Sequence, residues 1–167
     1  MKAKLMATMI FFGGLSGACL ADSSSAHSAI TIAKLDLSES LVQLAEKQAS
    51  CDESAIVLEP GPILSAGLSK AELKTALAYF YLKAFIQCSF QEASTVVTNL
   101  HALALLQPQN NETAAEAAQL FTHDLAKLWQ AEAKYMKIEK SKRMKLERTL
   151  EPLQPFEMIE SAQRLGL

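Results

Sequence analysis

Arginine is scarce in this sequence. The 167 residues hold three, Arg143, Arg148 and Arg164, all towards the C-terminal end. Acidic residues outnumber basic ones, eighteen to sixteen, for a formal charge of −2. Without a strong positive field the chain is poorly suited to a phosphate backbone, so no nucleic-acid partner is expected. Charge of either sign is sparse, at 20% of residues, while 50% are hydrophobic. That balance excludes a disordered chain, which has too little apolar surface to offset its conformational entropy. Six glycines and five prolines exclude collagen-like and low-complexity classes. Period-two alternation never lasts long enough for a strand, and no internal repeat is visible.

Fingerprints of catalysis and cofactor binding are missing as well. There is no Gly-x-Ser-x-Gly for a nucleophile elbow, no P-loop and no dinucleotide fingerprint. No Glu-x-x-His pair supports a di-iron carboxylate bundle, and no His-Glu-x-x-His supports a metalloprotease. Cys-x-x-Cys is absent, and with it thioredoxin-like redox chemistry and covalent c-type haem. The expectation is a protein that is not an enzyme and carries no cofactor.

What is present begins with an address. Lys2 and Lys4 precede an almost uncharged stretch from Leu5 to Ala21, followed by Asp22-Ser23-Ser24-Ser25. A positive start, an apolar centre and small residues at the end make a secretory signal peptide over residues 1–21. Cleavage after Ala21 is one ending. The other is carried by Leu15-Ser16-Gly17-Ala18-Cys19, which resembles a bacterial lipobox with Cys19 as the lipidated residue. It departs from that pattern at Ser16, where Leu is usual. Residues 22–29 read as a disordered linker and 30–167 as a single helical domain. The expected location is periplasmic or secreted, or lipid-anchored through Cys19.

Once Cys19 is removed or lipidated, two cysteines remain for an oxidising compartment, and a Cys51–Cys88 disulfide is the expectation.

Apolar periodicity fixes the class as all-α: a bundle of about four helices, a long extended loop after the first and a short C-terminal helix. The first helix is expected over about 30–50, with Ala33, Leu37, Leu41 and Leu44 on one face. Glu59-Pro60-Gly61-Pro62 places 51–68 in the extended loop. Ser69 and Glu72 have the spacing of a capping box for the second helix, whose stripe is Leu73, Leu77, Phe80, Ala84 and Cys88. Ser89 and Glu92 repeat that spacing, so a third helix is expected to start afresh near Phe90. Its apolar face is Val96, Val97, Leu100, Leu103 and Ala104. A fourth stripe runs through Phe121, Leu125, Leu128, Ala131, Tyr135 and Ile138. A last helix is expected over 156–165, with Pro155 at its start and Gly166 as its stop.

Two features suggest contact with another molecule. The second helix is apolar almost all round, and Tyr79, Tyr81 and Phe85 widen its stripe beyond what one core face needs. Lys137, Lys140, Lys142, Arg143, Lys145 and Arg148 form the strongest local charge asymmetry, read as the basic end of the fourth helix. These nine residues are the candidate partner surface. An envelope protein is the expected partner, with an anionic membrane surface as a further contact for the basic group. The alternative is a bundle that binds a small molecule, haem or a metal, with His101 as candidate ligand and Met136 as its axial counterpart.

Overall fold

The structure is a computed structural model that describes residues 23–107 and 111–167, and within them all side chains but those of 23, 24, 111–118, 120 and 121. The expected signal segment 1–21, with Cys19, and residues 22 and 108–110 lie outside the described residues. Among the described residues seven helices follow in order: α1 (Ser23–Glu53), α2 (Pro60–Leu64), α3 (Lys70–Cys88), α4 (Phe90–Leu106), α5 (Asn111–Tyr135), α6 (Lys140–Thr149) and α7 (Met158–Arg164). The all-α class holds. Four helices are long; α2, α6 and α7 are short pieces that complete the packing.

Helix α3 is the central element: it buries Leu73, Ala76, Leu77, Tyr79, Phe80 and Ala84, more side chains than any other helix among the described residues. Leu73, Leu77, Phe80 and Ala84 are all buried, as their spacing requires. The capping box forms as read: Ser69 Oγ accepts from Glu72 N–H, and the Glu72 carboxylate accepts from Ser69 N–H at 2.7 Å. Packed with α3 are Leu58, Ile63 and Ala66, and Tyr135, Ile138, Leu146, Leu150, Phe156 and Leu165. Each Leu, Ile or Phe among them stabilises the fold by about 1.5–3 kcal/mol.

A second, smaller cluster lies beyond the end of α3. There α1 packs antiparallel on α4, burying Leu44, Val96 and Leu100 with Leu37 and Ala93 beside them. Asn99 Nδ2 donates to the Asp36 carbonyl at 3.2 Å and fixes the register. The Cys51–Cys88 disulfide joins the two clusters, with Cα atoms 6.2 Å apart. Helix α5, about 37 Å long at 1.5 Å per residue, packs on both α3 and α4.

Several expectations are corrected. The linker expected at 22–29 is, from Ser23 onward, the start of α1. No Gly or Pro interrupts this stretch, and a helix nucleated by the α4 contact extends cooperatively outward. The segment after α1 is only partly extended, because Pro60 and Pro62 sit in the first turn of α2, where a missing N–H has no partner to lose. Ser89 does separate α3 from α4, but its side chain makes no cap; its hydroxyl donates to Phe85 O at 3.2 Å. The last helix starts at Met158, not Phe156. Phe156 is instead bridged to Ile56: Ile56 N–H donates to Pro155 O at 3.0 Å, and Glu157 N–H to Ile56 O at 2.8 Å. Gly166 stops α7 as expected, at φ +71°. Leu167 N–H returns to Ala162 O and Gly166 N–H to Gln163 O, closing a Schellman motif.

The fourth stripe also ends differently. Helix α5 stops at Tyr135, and the basic residues belong to a separate helix, α6. Neither Gly nor Pro marks the break. Side chains from downstream make it: Arg143 Nε donates to Ile138 O at 3.0 Å, and Tyr135 Oη donates to Glu147 at 3.1 Å. Both Tyr135 and Ile138 thereby stay in the core.

Candidate functional site

The aromatic part of the expected partner surface is largely core. Tyr79 is 7% exposed and stacks on Tyr135 with centroids 4.6 Å apart, and Phe80 meets both rings edge-on. This removes Tyr79 from any docking face: the excess apolar width of α3 is met by Tyr135 of α5. Tyr81 and Phe85 are half-buried, 4.8 Å apart, with Tyr81 edge-on to Phe156 at 5.9 Å. Burial raises the phenol pKa of both Tyr81 and Tyr135, helped at Tyr135 by the Glu147 carboxylate.

The basic group divides in two. Lys142 and Arg143 turn inward. Lys142 pairs with Glu72 at 3.1 Å, pinning α6 to the start of α3, and Arg143 lies over the Tyr135 ring while bonding Ile138 O. Hydrogen bonds from Ser69, then Lys142, hold the Glu72 carboxyl below its ordinary value near 4.5. Lys137, Lys140, Lys145 and Arg148 stay exposed.

The two residues suggested as metal or haem ligands are not brought together. His101 is on the exposed side of α4, in the smaller cluster's half of the molecule. Met136 follows the opposite end of α5, where Arg143 reaches its sulfur. Among the described residues no group of three His, Cys, Asp or Glu side chains could hold a metal ion.

The feature that sequence reading missed is the outward side of α4. Val96 and Leu100 face α1. On the other side Phe90, Val97 and Leu105 are 60%, 41% and 70% exposed. Steps of seven and eight residues put these three on one stripe. The positions around it, Gln91, Ser94, Thr95, Thr98, His101 and Ala102, are exposed and include no Lys, Arg, Asp or Glu. Glu92 is the one such residue in all seventeen of α4, and it is half-buried. A shallow concavity of about 360 Å³ opens along this face beside Phe90, Ser94 and Thr98. The available signal was this lack of charge on the side away from Val96; the apolar count alone hid it.

A second concavity, about 320 Å³, lies between residues 56–63 and 149–156. Its floor is core: Leu58, Ile63, Leu150 and Phe156 are buried, with Glu59 and Glu151 at the rim.

No family model matches this chain, and neither any curated protein nor any solved structure does. Among the described residues no helix is long and apolar enough to cross a membrane.

Proposed function

We propose that this protein is an exported, non-enzymatic binding module of the bacterial envelope that takes a protein partner along the outward face of α4. The observation that carries the reading is that face: an exposed stripe of Phe90, Val97 and Leu105 whose exposed neighbours on α4 carry no charge. A helix needed only for packing presents polar and charged groups to water on its outer side. An uncharged apolar stripe suits an amphipathic helix of a partner, laid along it with anchors at helical spacing. Helix α4 is held by α1 along its inner side and by the disulfide two residues before its start. A pre-organised face binds at lower entropic cost than a loose one. The disulfide is compatible with an oxidising compartment, which supports the export part of the reading.

The test is capture of partners from envelope extract with the native protein and with Val97→Glu and Leu105→Glu, each retained protein then being purified and its binding to both forms measured. Both positions are exposed, so the variants are expected to melt with the native protein while losing at least tenfold in affinity for the partner. Equal binding by the variants would overturn the reading, and so would a large drop in melting temperature, which would show the stripe to be packed support.

A further inference from the structure

We infer that the outward face of α6 is a peripheral docking surface for an anionic phospholipid membrane. The face follows from helix geometry. At 100° per residue, Lys140, Met144 and Arg148 lie one above the next, with Lys145 beside them. Leu146, on the opposite side, is buried, so this side is turned to solvent. Met144 is 41% exposed at the centre of the face, ringed by three exposed cations. Two carboxylates lie close to this face and keep their charge, Glu147, which accepts from Tyr135 Oη, and Glu139, which precedes the helix and accepts from Ser141; the six basic side chains of 137–148 outnumber them. Glu151 comes after the helix has ended.

The charge distribution of the chain sharpens the contrast. Residues 137–148 hold six basic and two acidic side chains, which leaves ten of the sixteen basic and sixteen of the eighteen acidic residues for everything else. A molecule that is otherwise acidic therefore approaches an anionic surface with α6 foremost. The inward anchoring of α6 through Lys142–Glu72 and Arg143–Ile138 keeps the exposed cations on one side.

Size and composition favour a lipid surface over an acidic protein. Ten residues make a rod about 15 Å long and about 10 Å wide, a footprint of roughly 150 Å². A stable protein interface needs about 800 Å² per partner. A bilayer, continuous in two dimensions, needs no such area from one helix: long cationic stems reach the headgroups and the apolar centre sits among them. Met144 is suited to that central position, being unbranched and apolar.

The experiment is co-sedimentation of the exported protein with vesicles of phosphatidylcholine, with and without phosphatidylglycerol. Any contribution of the N-terminal segment is common to both vesicle types and to every variant. Binding is expected to rise with phosphatidylglycerol and fall as salt is added. Each cation near an anionic surface is worth about fivefold in partitioning. Lys140→Gln/Arg148→Gln should therefore lose roughly 25-fold, and Lys145→Gln roughly fivefold, with unchanged circular dichroism. Equal binding to both vesicle types, or a double variant that binds phosphatidylglycerol as the native protein does, overturns the inference. Retention of an acidic envelope protein that depends on Lys140 and Arg148, without any phosphatidylglycerol effect, also overturns it and gives the face to the other class. Variants of α4 leave this assay unaffected, so its outcome is independent of the partner proposed for Val97 and Leu105.

Discussion

Cutting the Cys51–Cys88 bridge tests how the two halves of the fold depend on each other. The bridge closes a sequence separation of 37 residues. Loop-closure entropy for that length, −2.1 − 1.5R ln n, comes to about −13 cal/mol/K, or about 4 kcal/mol at 25 °C. Because single domains are stable by roughly 5–15 kcal/mol, the double variant Cys51→Ala/Cys88→Ala should fold but marginally. With a urea slope of about 2 kcal/mol/M, the unfolding midpoint falls by about 2 M. The loss should also be uneven. Most of the main cluster's buried side chains lie outside the closed loop or on α3, and they pack without the bridge. The smaller cluster has only Leu44, Val96 and Leu100 buried, too few to hold α1 on α4 as firmly. Hydrogen exchange in the variant should therefore open α1 and α4 before α3. The assay is urea unfolding followed by circular dichroism, with exchange read by mass spectrometry. A double variant within about 0.5 kcal/mol of the native protein would refute the entropic reasoning. Uniform exchange across α1, α3 and α4 would refute the division into two clusters.

Two further outcomes follow from single contacts. Leu58 N–H donates to Ser161 Oγ at 3.1 Å in a fully buried position, so Ser161→Ala strands that donor and should cost about 1–3 kcal/mol. For a chain of this size that is roughly 2–4 °C in melting temperature per kcal/mol, read by calorimetry; an unchanged midpoint would show that water replaces the hydroxyl. Glu72 is held below its ordinary value near 4.5, so its contribution is complete above that pH and is lost as pH falls through the lower, folded value. Glu72→Gln should flatten the decline of stability with acidification in that window, and a variant with the same acid profile as the native protein would count against the Lys142 and Ser69 contacts.

What could be read in advance was what acts over short range. Ser69 and Glu72 cap a helix from within one turn, and Gly166 stops one by its own positive φ, so their signals travel with the local residues. The α3 stripe was legible because Leu73, Leu77, Phe80 and Ala84 recur at helical spacing behind a clear cap. The disulfide was legible because, with Cys19 assigned to the expected export signal, the other two cysteines allow a single intramolecular pairing. The break between α5 and α6 was not, since it is closed by Arg143 and Glu147, eight and twelve residues downstream of Tyr135. Nor was the pairing of Ile56 with Phe156, a hundred residues apart, which turns Phe156 from a helix start into a fixed extended residue. Periodicity states which sides of a helix avoid water; it does not state what covers them. Tyr79 shows the consequence: its ring was surplus to one face and is accommodated by Tyr135 rather than offered outward.

The same limit explains why the candidate face on α4 emerges only from the fold, and why it differs from other exposed apolar residues. Exposed single hydrophobics are ordinary on protein surfaces. Leu35 and Val42 on α1 are of that kind, with Glu39 and Glu46 exposed close by on the same helix. On α4 three large apolar side chains share a stripe with no charge between them, on a helix whose opposite side is already packed. Substituting those positions by charged residues should cost the fold little, since all three are exposed. Retaining Phe90, Val97 and Leu105 there brings exposed apolar surface, and with it a tendency to associate. That tendency is useful only if something binds, and its position on a helix clamped beside a disulfide makes the bound geometry definite. Charged substitution at Val97 should therefore separate the two requirements, leaving folding intact while removing the proposed association.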